Sequence, residues 1–173
     1  MQPTPLSSSH NFQKIAEEIK AMALADQNMR SSGTWDKELD RRHTDHLKIL
    51  LAEVGWLDRS VVGEEVAHAL WLLVQHADHD PVFQESMLKK LSDAVRRGEA
   101  DPCDEAFLID RVRVNTGRSQ VYGTQFYIDP QGIFGPRPIE DVEHLDERRQ
   151  VVGLEPFDEY RRRLEQRQKE FNT

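Results

Sequence analysis

The residues best suited to chemistry lie between Glu65 and Asp80. If this stretch is helical, Glu65, His68, Leu72, His76 and His79 share one stripe, three histidines and a carboxylate facing the same way. A solvated helix face usually carries Lys and Glu. Imidazoles there point to proton transfer near neutral pH or to metal ligation. His76 is the candidate general acid or base, with Gln75 and Asp78 beside it to orient the ring. The metal reading pairs His76 and His79 with Asp78, Asp80 or Glu65, but it has neither a His-Glu-x-x-His pattern nor a cysteine cluster behind it. The structural alternative makes His68 a surface residue, His76 a hydrogen-bonded buried one, and His79 a cation at a helix end, where the dipole favours it.

A second constellation spans Asp110 to Gln125. Arg111, Arg113 and Arg118, the amides of Gln120 and Gln125, the Tyr122 hydroxyl and two glycines occur where a helix gives way to a strand. Loops at such transitions often carry function on a rigid scaffold. Arginine forks suit carboxylate or phosphate, and Gln and Tyr can orient a small polar molecule. Arg111, Gln120, Thr124 and Gln125 are therefore candidate substrate-binding residues with Gln75, and Tyr122 a candidate catalytic residue with His76 and Asp78. The competing reading gives the glycines backbone roles and the charges structural ion pairs.

The elements that must position these residues follow from periodicity. Met1 to Ser9 is rich in Pro, Ser and Thr and reads as a flexible leader, with a single helical domain over 10–173. Phe12, Ile15, Ile19 and Met22 mark a first helix, and Asp36 opens a second, with Leu39, Leu47, Leu50 and Leu51 facing inward, that runs to Gly55. The most apolar helix covers Glu64 to Ala77, burying Val66, Leu70, Leu73, Val74 and Ala77. Asp80-Pro81 and Asp101-Pro102 each start a further helix, since Asp caps and Pro fits the first turn. Val121 to Ile128, the turn Asp129-Pro130-Gln131-Gly132, and Ile133-Phe134 form one β-hairpin near residues 121–135. A short helix from Asp141 and a final one carrying Phe157, Tyr160 and Leu164 complete the chain. The fold class is mainly α, an irregular bundle of six to seven helices.

Composition narrows the function classes. With 23 Lys and Arg against 31 Asp and Glu, the 173-residue chain has a net charge of −8, which disfavours a phosphate-backbone binder, so no nucleic acid is expected. No apolar run approaches the roughly 18 residues of a membrane span, and no signal peptide is legible, so a cytoplasmic protein without a membrane partner is expected. The single cysteine, Cys103, is assigned no role, and no cofactor or metal is assigned. No nucleotide loop, nucleophile elbow or dinucleotide fingerprint occurs.

Several segments together resemble a large bacterial family known only as a domain of unknown function. They are Asp26-Gln27-x-x-Arg30, Trp71 to Asp78, Asp110-Arg111, Gly117-x-x-Gln120-x-Tyr-Gly-Thr-Gln125, Asp146 to Arg149 and Val152 to Leu154. The likeness covers roughly residues 26–160. His43-Thr44 stands where an Asn-Thr pair is expected. The resemblance implies no mechanism; it groups Gln75, His76, Asp78, Asp110, Arg111, Gln120, Tyr122, Thr124 and Gln125 as one polar signature. The leading expectation is a small-molecule enzyme with a histidine acid/base acting on a polar or anionic substrate, a homodimer being compatible. The rivals are a non-catalytic protein-interaction module and a metal-binding protein using the central-helix histidines.

Overall fold

A computed structural model of the chain describes residues 8–171, with side chains from Asn11 to Glu170. The expected leader lies mostly outside the described residues, and the first helix already includes Ser8 and Ser9. The fold is mainly α, with one antiparallel hairpin. It divides into two compact units, one ending at Ala100 and one beginning at Asp101.

In the first unit α1 (Ser8–Ser31) packs on α2 (Lys37–Val54), α3 (Arg59–Val62) and α4 (Glu64–Gln75), and α4 also meets α5 (Pro81–Arg96). The apolar faces read from the sequence are the ones buried: Ile15 and Ile19 on α1, Leu47, Leu50 and Leu51 on α2, and Val66, Leu70, Leu73 and Val74 on α4. Helix α2 starts where Asp36 accepts from the amides of Glu38 (2.9 Å) and Leu39 (3.1 Å), and it stops at Gly55, whose φ of 73° suits glycine. Helix α5 starts with Pro81 in its first turn and the Asp80 carboxylate on the Phe83 amide at 2.9 Å.

The central helix is shorter than its apolar pattern suggests. It ends at Gln75, and His76 is the capping residue with φ −90° and ψ 0°. The cause is a side chain from α5. Gln84 is fully buried, and its amide nitrogen donates to the carbonyls of Val74 (3.2 Å) and Gln75 (3.1 Å). The Val74 carbonyl also accepts from the Ala77 amide at 3.2 Å, while the Gln75 carbonyl is one of those a helix end leaves without an intrahelical partner. His76 and His79 thus sit on a turn rather than on the stripe with Glu65 and His68.

The second unit contains α6 (Pro102–Asn115), β1 (Phe126–Ile128), β2 (Phe134–Pro136), a 3-10 turn at Val142–His144, α7 (Leu145–Val151) and α8 (Phe157–Phe171). The strands pair Phe126 with Pro136, Tyr127 with Gly135 and Ile128 with Phe134. The hairpin is shorter than expected because residues 121–125 do not join it; they wrap around a buried carboxylate. Phe126 centres an aromatic cluster, 5.4 Å from Phe134, 6.2 Å from Phe157 and 5.7 Å from Tyr160. Among the described residues no helix is long and apolar enough to cross a membrane.

Candidate functional site

The chemistry-bearing cluster of the first unit assembles where α1 ends, α2 begins and α4 is capped. Asp26 and Arg30 are one turn apart on α1, so their side chains meet: Arg30 Nε lies 3.1 Å from Asp26 Oδ1. The chain then turns at Gly33, passes Trp35, and enters α2, whose first turn carries Asp40. Arg30 Nη2 reaches Asp40 Oδ1 at 3.0 Å, so one guanidinium joins two carboxylates from two helices. Its carbon sits 4.5 Å from the centre of the Trp35 ring.

His76 completes the cluster. Its Nδ1 is 2.8 Å from Asp26 Oδ2 and 3.0 Å from Arg30 Nε. One nitrogen cannot donate to the first and accept from the second. If Nδ1 were bare, its lone pair would face a carboxylate oxygen at 2.8 Å with no proton between them. With the proton on Nδ1, it donates to Asp26 Oδ2 and Arg30 Nε–H donates to Asp26 Oδ1; two donors then stand 3.0 Å apart, which costs less than a lone pair against a buried carboxylate because both point at that carboxylate. Nε2 is then the bare nitrogen. Asp26 is only 1% exposed. Burial pushes its carboxyl up, but the hydrogen bond and charge of His76 and the Arg30 guanidinium outweigh this and hold it below the usual carboxylate range. A buried, ionised carboxylate on Nδ1 fixes both tautomer and ring orientation, the arrangement that makes Nε2 a base.

His76 lines a concavity of about 300 Å³ with Trp35, Lys37, Asp40 and Arg41, closed at one side by Asp78 and His79. Burial raises the Asp40 carboxyl, an effect the Arg30 charge opposes and the negative charges of Asp26 and Asp78 add to. Gln75 is buried. Asp78 accepts a long hydrogen bond from Gln84 at 3.4 Å, within the turn that presents His76. The carboxylate on His76 Nδ1 is Asp26, fifty residues away in sequence. Asp26, Arg30, Trp35 and Asp40 were not among the residues the spacing argument picked out. The one sequence signal for the first two is the i, i+4 acid–base pair in the Asp26-Gln27-x-x-Arg30 motif.

His43, one turn beyond Asp40 on α2, has a buried Nδ1 with no hydrogen-bond partner, and burial pushes its pKa below the ordinary histidine value. Between that lowered value and about 6.5 the unfolded chain binds a proton the folded chain does not, so this residue removes stability as pH falls through the window. The wild type is expected to melt progressively earlier from pH 7 to about pH 5.5, and His43→Asn to show a shallower fall when the two melting curves are compared. Parallel curves for the two proteins would contradict this. The Asp26 contribution has a separate window: its depressed pKa adds stability above about pH 4, lost only as pH falls lower.

The signature residues of the second unit converge on Asp110, which is fully buried on α6. Its carboxylate accepts from the backbone amides of Val121 (2.6 Å), Tyr122 (3.0 Å) and Thr124 (2.9 Å) and from the Thr124 hydroxyl (3.0 Å). Gln120 donates to the carbonyls of Gln125 (3.0 Å) and Arg137 (2.8 Å) and accepts from the Gln125 amide at 2.8 Å. Gln125 receives Arg111 Nη1 at 2.8 Å and donates to the Thr124 hydroxyl at 2.9 Å. Gly123 is required twice over: φ is 68°, and an added Cβ would lie 2.8 Å from the Phe157 ring. Tyr122 is half-buried; burial, then Glu105 and Asp110, push its hydroxyl pKa up, so it remains protonated. Arg149, 1% exposed, donates to the carbonyls of Glu155 (2.7 Å) and Tyr122 (2.5 Å).

The structure therefore places Gln75, His76 and Asp78 in the first unit, and Arg111, Gln120, Tyr122, Thr124 and Gln125 in the second. His76 and Asp78 line the concavity, and Gln75 is buried at the end of α4 beside them. In the second group, Gln120, Thr124 and Gln125 bond to one another's loop, to Asp110 and Arg111 on α6, and to the Arg137 carbonyl. No group of three or more His, Cys, Asp and Glu side chains placed to hold a metal ion occurs among the described residues. Burial and the nearby Asp104 and Asp101 raise the Cys103 thiol, the opposite of an activated nucleophile.

A search of curated proteins and a search of solved structures each found no match. The sequence profile of the Family of unknown function (DUF6624) matches residues 13–169, nearly the whole chain including most of α1, the His76 turn and the Asp110 network, and the protein belongs to that family.

Proposed function

We propose that this chain is a small-molecule enzyme in which His76 Nε2 acts as general base, and its conjugate imidazolium as general acid, on a polar or anionic substrate held in the concavity beside Trp35. The observation that carries the reading is the 2.8 Å contact between His76 Nδ1 and the buried Asp26 carboxylate, itself locked by Arg30. A histidine serving only to satisfy a buried partner needs no open space on its other side, whereas His76 lines one. Asp26 orients the ring and stabilises the imidazolium that forms, and Arg30 keeps Asp26 in place against Asp40. A cytoplasmic bacterial enzyme of metabolism is the setting proposed with this role.

A second reading makes the second unit an interaction module whose polar signature is structural. It is supported by the Asp110 network, whose members hydrogen-bond to their own loop. The two readings concern different units and do not compete for the same residues.

The experiment is an untargeted metabolite screen that follows, by mass spectrometry, small acids and amides incubated with wild type or His76→Gln. Consumption of a compound by the wild type and not by the variant supports the enzyme. Equal consumption by both, or none by either, contradicts it.

A further inference from the structure

We infer that the concavity beside His76 takes a planar, π-conjugated anion, whose ring stacks on the open face of Trp35 while its carboxylate or phosphate meets Lys37 and Arg41 at the rim. The inference rests on the acid–base reading of His76 and adds the substrate class.

Trp35 is the first observation. It lies in the short turn between α1 and α2 and is 58% exposed, an unusual position for the largest apolar side chain. Its ring is not loose, because the Arg30 guanidinium carbon lies 4.5 Å from the ring centre, and Arg30 is itself tied to Asp26 and Asp40. A clamped tryptophan with one face on a cation and much of its surface open borders a concavity of about 300 Å³, a volume suited to a one- or two-ring molecule. Stacking on a ring already held against a guanidinium costs less ordering than stacking on a free one.

The charge distribution is the second observation. The lining acids are the less exposed residues and form the inner wall: Asp40 is 9% exposed and bonded to Arg30, and Asp78 is half-buried. Cations form the rim. Lys37 is exposed and makes no hydrogen bond or ion pair among the described residues. Arg41 is 56% exposed and shares its charge with Glu38 at 2.7 Å. An anionic group is repelled from the inner wall and attracted to the rim, which orients the molecule. Its charged end stays outward at Lys37 and Arg41, the ring lies on Trp35, and the opposite end is presented to His76.

The test is calorimetric titration of the full chain with three probes: naphthoate, its saturated analogue decahydronaphthoate, and naphthamide. They share size but separate flatness from charge. Naphthoate is expected to bind at least about ten-fold more tightly than either of the others, as one stacked ring and one anion contact each contribute about that factor. Trp35→Leu should weaken naphthoate by about ten-fold, with Trp35→Phe within about three-fold of wild type. Because Trp35→Leu releases Arg30 and could loosen the fold, Lys37→Glu on the helix surface gives an independent arm: it should weaken naphthoate and leave naphthamide unchanged. Equal binding of decahydronaphthoate, equal binding of naphthamide, no saturable heat with naphthoate, or a naphthoate affinity unchanged in Lys37→Glu would overturn the inference. His76→Gln separates it from the acid–base reading, because naphthoate binding should persist in that variant whatever happens to turnover. If turnover survives His76→Gln while naphthoate still selects Trp35 and Lys37, the catalytic role falls and the substrate class stands.

Discussion

Asp26→Asn is expected to lower kcat/KM on any compound the metabolite screen identifies by roughly 10³ to 10⁴-fold, with KM changing far less than kcat. The two side chains have the same shape, so the loss isolates charge and proton direction. Asparagine can turn its amide N–H₂ toward His76 Nδ1, which then accepts, and the ring proton moves to Nε2. The nitrogen facing the concavity becomes a donor and can no longer take a proton from substrate. Arg30 keeps Asp40 as a partner at 3.0 Å, so the end of α1 and the start of α2 remain joined. Melting should therefore fall only modestly, by contrast with the rate. A variant within about ten-fold of wild type in kcat/KM would remove Asp26 from the mechanism, because a mis-set tautomer cannot be that mild.

The largest stability effect is expected at Asp110, where Asp110→Ala should cost about 3–5 kcal/mol. The carboxylate is fully buried and satisfies three backbone amides and one hydroxyl; its removal leaves four donors unpaired at once. Each buried donor without a partner costs about 1–3 kcal/mol, and loop relaxation toward water recovers part of the sum. Amide exchange is the sharper readout, since the chain has two compact units. The amides of Val121, Tyr122 and Thr124 should lose their protection, while those of α4 should keep theirs. Retained protection in the 121–124 loop would show that Asp110 is not what holds it.

The parts of this protein that were legible in the sequence are those set by local rules. The apolar faces of α1, α2 and α4 repeat at helical spacing because burial of one side stabilises each helix, and Asp36, Asp80 and Gly55 announced their caps. What the periodicity missed was decided by contacts distant in sequence. Helix α4 stops two residues before its apolar pattern because Gln84, on the next helix, takes its last carbonyls. That two-residue difference moves His76 off the stripe shared with Glu65 and His68 and onto a capping turn. The hairpin begins at Phe126 rather than Val121 because Asp110, on α6, captures the intervening amides. Within the site, His76 and Asp78 were visible as residue types, whereas Asp26, Arg30 and Asp40 are ordinary helix-surface charges until the α1–α2 turn brings them together. The pair Asp26 and Arg30 stands out as a motif, but nothing local says that its third partner is a histidine fifty residues later.

The central claim is that neutral His76 carries its proton on Nδ1 and offers Nε2 to the concavity. Two-bond proton–nitrogen correlation of the imidazole rings reads this directly, since protonated and bare ring nitrogens have widely separated shifts, and His76→Gln assigns the signal. The account predicts a protonated Nδ1 and a bare Nε2 in the neutral wild type, with the order reversed in Asp26→Asn. A neutral wild-type His76 protonated at Nε2, its Nδ1 accepting from Arg30, would contradict it.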